Sequence, residues 1–183
     1  MQVLAGCLVE RNACTRNGTA GGAALNFASL RDSNVRNNVL ADNLGQSGIV
    51  LWDDDNVNGG AGAGYGSKGN RVQHNTVVFA SGVGRFCVVL RNGSTGNDVR
   101  NNVLRGGARG AITFTADSLP GLVEDGNLVA SASGYPLFVD DATSQSYSLA
   151  QWQALTGGGA SDLAAAPVFT RPALGELALA VGS

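Results

Sequence analysis

The order of aliphatic and polar residues along the chain repeats one short phrase five times. Each copy contains an aliphatic residue, a short polar step, an asparagine and another aliphatic residue. The asparagines are 26, 37, 27 and 25 residues apart, at Asn12, Asn38, Asn75, Asn102 and Asn127. A period of about 20 to 50 residues is typical of solenoids, in which each unit buries its apolar face only against its neighbours. The pattern therefore predicts a solenoid.

A second apolar segment follows the phrase in each repeat and alternates as β-strands do, with every second side chain on one face. The residues expected to point inward, coil on coil, are Leu25/Phe27, Ile49/Leu51, Val88/Leu90 and Ile112/Phe114. The outward residues form two rows: Asn26, Val50, Val89 and Thr113, and next to them Ala28, Trp52, Arg91 and Thr115. Equivalent residues are then stacked about 4.8 Å apart along the solenoid axis.

Asparagine at the corner of each coil has a physical reason. Its amide can donate to one neighbouring coil and accept from the other, which satisfies turn backbone groups that water cannot reach. Asparagine also tolerates the left-handed backbone conformation that tight corners need. We expect the five repeated asparagines to form an internal ladder. His74 takes the corner position held by Asn37 and Asn101 in other coils and is expected to be a polar turn residue.

Two of the phrases carry a family resemblance: Ser33–Leu40 reads SNVRNNVL, and Gly96–Leu104 reads GNDVRNNVL. They resemble repeats of the pectate-lyase-like superfamily, whose members are mostly bacterial and extracellular. The resemblance covers about residues 7–140. It implies an all-β, right-handed parallel β-helix of about five coils, located outside the cell or at its surface. The phrase is specific for the fold but not for an activity, because one fold supports many functions.

The last forty or so residues break the repeat. Ser148 is expected to cap a short helix over 149–155 that ends at Thr156 and Gly157, with Trp152 in the core of a cap. Residues 166–169 and the final Leu/Ala alternation are typical of an edge strand or tail. We therefore expect coils over 1–142 and a C-terminal cap over 143–183. Because the chain starts inside a repeat, it is expected to be a piece of a longer β-helix protein.

Composition excludes several classes of partner. Only 14% of the 183 residues are charged, the net charge is −2 and the pI is about 5.2, so a nucleic-acid partner is not expected. No apolar run approaches the roughly 20 residues needed to cross a bilayer, so no membrane span is expected. The three cysteines have unrelated spacings and indicate neither a disulfide framework nor a metal site.

The second coil carries the longest insertion. Its 37 residues, against 25 to 27 in its neighbours, include a glycine-rich stretch that begins with Asp53, Asp54 and Asp55 directly after Trp52. Long excursions from one coil are where solenoids commonly place function. Carboxylate oxygens are the ligands that Ca²⁺ prefers, so these three aspartates are candidate calcium ligands.

Trp52 and Arg91 would be neighbours on an exposed sheet. An indole offers an apolar face to a sugar ring, and a guanidinium grips carboxylates or hydroxyls as a fork. The pattern predicts recognition of a polysaccharide along this strip, with Tyr65 and Asn26 as further contacts. The alternatives are that Trp52 packs under the inserted loop, that Arg91 pairs with an aspartate, and that the chain is a non-catalytic spacer or adhesin-like module.

Two kinds of catalysis are compatible with these residues. The family resemblance implies a lyase, in which aspartates hold Ca²⁺ against the substrate carboxylate and Arg91 or Lys68 removes a proton. The second possibility is glycoside hydrolysis, with Asp53 and Asp55 as the acid and base. Aspartates in a turn also need no catalytic role, and all three alternatives stay open at the level of sequence.

Overall fold

A computed structural model of the chain describes residues 4–17, 21–43, 47–53, 64–79, 83–132, 134–171 and 176–179. It shows a parallel β-solenoid with three strands in each coil. The first sheet contains β1 (Leu8–Glu10), β4 (Asn34–Arg36), β7 (Arg71–Gln73), β10 (Asp98–Arg100) and β13 (Val123–Asp125). The second contains β2 (Ala13–Thr15), β5 (Val39–Ala41), β8 (Thr76–Val78), β11 (Val103–Arg105) and β14 (Leu128–Ala130).

The third sheet carries the outward rows expected from the sequence. Its parallel strands are β3 (Ala23–Ala28), β6 (Ser47–Trp52), β9 (Val88–Leu90), β12 (Ile112–Phe114) and β15 (Phe138–Asp140). From β1 to β13 the solenoid makes about four turns, where the sequence predicted about five coils. The difference is small, because five equivalent strands are separated by four turns.

The core of the solenoid consists of the inward columns that alternation predicts. Ile49, for example, lies between Leu25 and Val88 in register, and both Ile49 and Val88 are fully buried. Each aliphatic side chain buried in this way contributes about 1.5–3 kcal/mol relative to the same side chain in water. Cys87 is also fully buried, and burial raises the pKa of its thiol well above the usual value. Cys87 is therefore a small apolar residue of the core.

The predicted asparagine ladder is confirmed. The backbone N–H and the side-chain Nδ2 of Asn75 both donate to Oδ1 of Asn102, at 2.9 and 3.1 Å. Asn102 makes the same two bonds to Asn127, at 3.0 and 2.9 Å. The residues before Asn38, Asn75 and Asn102 have a left-handed backbone: φ is 54° at Asn37, 56° at His74 and 56° at Asn101. His74 is thus a corner residue, as its alignment predicts.

Two further ladders run along other corners and were not predicted. In one, the backbone N–H of Ser33 donates to Asn70 Oδ1 at 3.1 Å, and that of Asn70 to Asn97 Oδ1 at 3.0 Å. In the other, serine hydroxyls accept backbone N–H groups from the preceding coil, in the order Ser67, Ser94 and Ser118. Buried polar side chains therefore satisfy turn backbone groups at several corners.

In the fifth copy of the phrase the valine lies four residues before the asparagine, one more than in the other copies. Val99 pairs in register with Glu124 instead of Val123, and Val123 is 48% exposed. A shift of one residue moves every side chain of a strand to the opposite face. Glu124 therefore takes the inward position that Val35, Val72 and Val99 fill in the other coils, and it is buried.

The C-terminal segment covers the last coil. Strand β16 (Ser146–Tyr147) pairs antiparallel with β15, and β17 (Leu163–Ala164) pairs parallel with β14. Between them lies α1 (Leu149–Thr156), whose N-cap Ser148 forms a capping box with Gln151, and whose C-cap Gly157 is left-handed. Two last strands, β18 (Phe169–Arg171) and β19 (Glu176–Leu179), pair antiparallel. Within the described residues no helix has the length and apolarity to cross a membrane.

Trp152 covers the core at the C-terminal end of the solenoid, as the sequence predicts. It is fully buried and stacks on Phe138, with ring centroids 4.7 Å apart and planes inclined by 9°. Its Nε1–H donates to Oε2 of Glu124 at 3.0 Å. The amide of Asn127 donates to Glu124 Oε1 at 2.8 Å, and the backbone N–H of Asn127 donates to Asp162 Oδ1 at 2.6 Å. The asparagine ladder thus ends on a pair of buried carboxyl groups.

Burial raises the pKa of Glu124 to about 9, with further contributions from a hydrogen bond to Asp162 and from the charge of Asp162. Glu124 is therefore protonated at neutral pH. In that state the carboxyl group of Glu124 can donate to Asp162, whose buried Oδ2 accepts no other hydrogen bond from the described residues. One proton accordingly holds the two carboxyl groups together inside the cap.

Candidate functional site

A groove of about 180 Å³ runs over the outer face of the third sheet. Its floor is the first outward row, in which Asn26, Val50, Val89 and Thr113 are in register on successive strands. Val89 and Thr113 are almost fully buried although they point away from the core. Side chains on both sides of the row therefore rise above it and enclose the groove.

Trp52, Arg91 and Asp141 form one wall, and each lies at or just after the end of a strand of the third sheet. Trp52 is half-buried, and its Nε1–H donates to Asn26 Oδ1 at 2.8 Å. This bond fixes the indole against the preceding coil. The adjacent placement of Trp52 and Arg91, which alternation predicts, is present in the groove.

Arg91 reaches across one whole coil to an acid. Its Nε lies 3.0 Å from Asp141 Oδ2, although Arg91 follows β9, Asp141 follows β15, and β12 lies between them. The two side chains are 42% and 30% exposed. The sequence left open that Arg91 pairs with an aspartate; the structure shows such a pair, with an acid outside the inserted loop.

The opposite wall consists of Gly22, Ser47, Arg85, Phe86 and Arg109. Phe86 is buried and packs beside Gly110. Arg85 and Arg109 both lie three positions before a strand of the third sheet, β9 and β12 respectively. Since those strands are adjacent and in register, the two arginines occupy equivalent places in neighbouring coils. Among the described residues that line the groove, three are arginines and one is an acid.

The other residues predicted for the site do not line this groove. Asp53 is buried, its Oδ2 accepts the backbone N–H of Tyr65 at 3.0 Å, and its carbonyl accepts from Asn92 Nδ2 at 3.0 Å. Tyr65 is 37% exposed, and the Nζ of Lys68 donates to the carbonyl of Gly64 at 3.0 Å. The structure therefore brings together Asn26, Trp52 and Arg91, and places Asp53, Tyr65 and Lys68 elsewhere.

The remaining members of the predicted aspartate cluster, Asp54 and Asp55, lie outside the described residues. In the part of the chain that the structure describes, no three His, Cys, Asp or Glu side chains come together as a metal site would require. Asp53, the described member of the cluster, has a carboxylate that already accepts a backbone N–H.

Three charged residues of the groove were not predicted from the sequence: Arg85, Arg109 and Asp141. A signal for the two arginines was present, because both precede an apolar strand at the same offset in successive repeats. Asp141 follows β15, a strand that the outward rows expected from the sequence did not include. Its contact with Arg91 depends on the reach of a long side chain across a coil.

The fold and the groove define the chain as a parallel β-solenoid with a positively charged groove on one outer face. Comparison with protein-family models, with curated proteins and with solved structures finds no match.

Proposed function

We propose that this protein binds an acidic polysaccharide along the groove of the third sheet. The observation that carries the proposal is the composition of the groove, in which Arg85, Arg91 and Arg109 and the indole of Trp52 flank a partly apolar floor. The chain as a whole has a net charge of −2, so the arginines of the groove are a local concentration of positive charge. Such a groove favours a partner that carries negative charge and ring surfaces together.

The guanidinium groups and the indole of the groove suit different parts of a uronate residue. A guanidinium presents a planar fork of N–H donors that matches a carboxylate, and its charge does not depend on pH. An indole packs against the apolar C–H face of a sugar ring and keeps a polar N–H at its edge. In this groove that N–H is already bonded to Asn26, which holds the ring in place for a ligand. A chain of uronate residues offers a carboxylate and an apolar ring face in every unit.

The resemblance of the asparagine phrases to the pectate-lyase-like superfamily supports the same class of ligand. Membership of that superfamily and a location outside the cell are parts of this proposal. Cleavage of the bound chain would extend it. Asp53 does not fit a calcium site in the groove, because it is buried outside the lining and its Oδ2 accepts the Tyr65 N–H. The geometry therefore supports binding more strongly than calcium-assisted elimination.

Replacement of Trp52 by alanine tests the proposal. We expect the affinity for a uronate-rich polysaccharide to fall about tenfold or more, because buried tryptophans commonly dominate binding energy. Tyr135→Ala provides a matched control, since Tyr135 is an aromatic residue that is 39% exposed and does not line the groove. Titration calorimetry with both variants measures the change. Equal affinities for Trp52→Ala and wild type would contradict the assignment of the groove.

The same samples decide between binding and cleavage. Incubation with the polysaccharide in Ca²⁺ or in chelator, followed by absorbance of unsaturated ends and by reducing ends, detects elimination or hydrolysis. Bound but intact chains would identify a binding module. Calcium-dependent unsaturation would extend the proposal to a lyase. A wild-type protein that binds no polysaccharide would leave the alternative of a structural spacer or adhesin-like module.

A further inference from the structure

The ion pair between Arg91 and Asp141 lies inside the proposed binding groove, and both residues line it. An acid within a groove otherwise rich in arginine repels any anionic ligand. Its carboxylate occupies one side of Arg91, the same group that a uronate would approach. The pair therefore places a negative charge of the protein where a negative charge of the ligand would bind.

The Arg91–Asp141 pair has the properties of a contact that a ligand can replace. Both side chains are partly exposed, and exposed ion pairs contribute little to stability because water and salt screen them. The Nε of Arg91 is buried and makes no hydrogen bond of good geometry with the described residues, although Asp141 Oδ2 is 3.0 Å away. A ligand carboxylate that aligns with the guanidinium fork would form the stronger, bidentate contact.

The backbone at both residues of the pair is fixed by hydrogen bonds. Replacement of the Asp141 carboxylate by a ligand carboxylate therefore requires movement of side chains only. The backbone N–H of Asp141 donates to the carbonyl of Phe114 at 2.8 Å, and that of Arg91 donates to Leu51 at 3.0 Å. Asp140 is buried beside Asp141, and its Oδ1 accepts the N–H of Ala142 at 2.9 Å, which holds the turn. Loss of the Asp141 charge should therefore leave the fold of the groove intact.

We propose that Asp141 is the specificity-determining residue of the groove: its carboxylate occupies Arg91 in the free protein and is displaced by the anionic group of the ligand. This inference rests on the proposed function. It predicts that Asp141 weakens the binding of all anionic chains and admits only those that form a better contact with Arg91. Neutral chains, which do not compete for the guanidinium, are unaffected by Asp141.

Asp141→Asn preserves the size of the side chain and removes its charge. We expect this variant to bind a fixed-length oligogalacturonate about threefold to tenfold more tightly than wild type, because an intramolecular competitor has been removed. Affinity for a neutral glucan oligomer of equal length should not change. Titration calorimetry at one salt concentration measures both, and thermal unfolding followed by circular dichroism checks that the fold is retained.

The double variant Arg91→Ala/Asp141→Asn separates competition at Arg91 from a general change of charge. If Asp141 acts through Arg91, the double variant binds the oligogalacturonate no more tightly than Arg91→Ala alone. A gain that persists without Arg91 would overturn the inference, as would unchanged or weaker binding by Asp141→Asn when wild type binds. Absence of binding by wild type and all variants would instead overturn the proposed function together with this inference.

Discussion

Asn102→Ala is expected to lower the free energy of unfolding by about 2–6 kcal/mol, a large part of the stability of a typical domain. The buried backbone N–H of Asn75 loses its acceptor when Asn102 is truncated, whereas Asn75 Nδ2 keeps the carbonyls of Val35 and Gln73 as acceptors. The carbonyl of Val72 also loses the Nδ2 donor of Asn102 that it receives at 2.9 Å. Each buried polar group left without a partner costs about 1–3 kcal/mol.

Asn101→Gly is the matched control for this prediction. Asn101 is the exposed neighbour of Asn102, and its φ of 56° is one that glycine adopts without strain. We expect a change within about 0.5 kcal/mol for this variant. Guanidinium unfolding followed by circular dichroism compares the two midpoints, since solenoids can unfold in steps. Equal midpoints for Asn102→Ala and Asn101→Gly would show that the ladder does not stabilise the solenoid.

Glu124→Gln is expected to remove a pH dependence of stability. The pKa of Glu124 is raised from its ordinary value of 4.5 to about 9 in the folded protein, mainly by burial. Above pH 4.5 the unfolded chain releases a proton that the folded chain keeps. The free energy of unfolding of wild type therefore falls as the pH rises from about 4.5 to about 9, by several kcal/mol in total, and levels off outside this window.

Glutamine at this position is neutral at every pH, and its amide can donate to Asp162 as the acid proton of Glu124 does. Because glutamine has a single oxygen, it can replace only part of the bonds from Trp152 and Asn127, which lowers stability at low pH. We expect the two stability curves to cross, with the variant more stable at pH 8–9. Asp125→Asn, at the adjacent position, should keep the slope of wild type. Parallel curves for Glu124→Gln and wild type would contradict the shared proton.

The coil, the inward columns and the asparagine ladder could be predicted because they depend on local periodicity. A strand turns every second side chain to one face, so residues such as Ile49 and Val88 are assigned to the core without knowledge of the rest of the chain. The cap helix could also be predicted, because Ser148 and Gly157 are standard signals for its ends.

Other features could not be predicted because they depend on distant contacts. The spacing from Asn102 to Asn127 places Glu124 opposite Val99, but its partners Trp152 and Asp162 come from the C-terminal cap. The hydroxyl ladder of Ser67, Ser94 and Ser118 consists of residues that look like ordinary turn positions in the sequence. In the groove, alternation places Trp52 beside Arg91, whereas the contact of Arg91 with Asp141 crosses a whole coil. The opposite wall comes from residues at or just before the first residue of each strand.

Affinity electrophoresis of the wild-type protein tests the central claim most directly. The protein migrates through gels that contain a uronate-rich polysaccharide, a neutral glucan or no polysaccharide. We expect retardation in the uronate-rich gel alone, and a retardation that weakens as salt screens the contacts with the arginines. The same mobility in all three gels would contradict the claim that the groove of the third sheet binds an acidic polysaccharide.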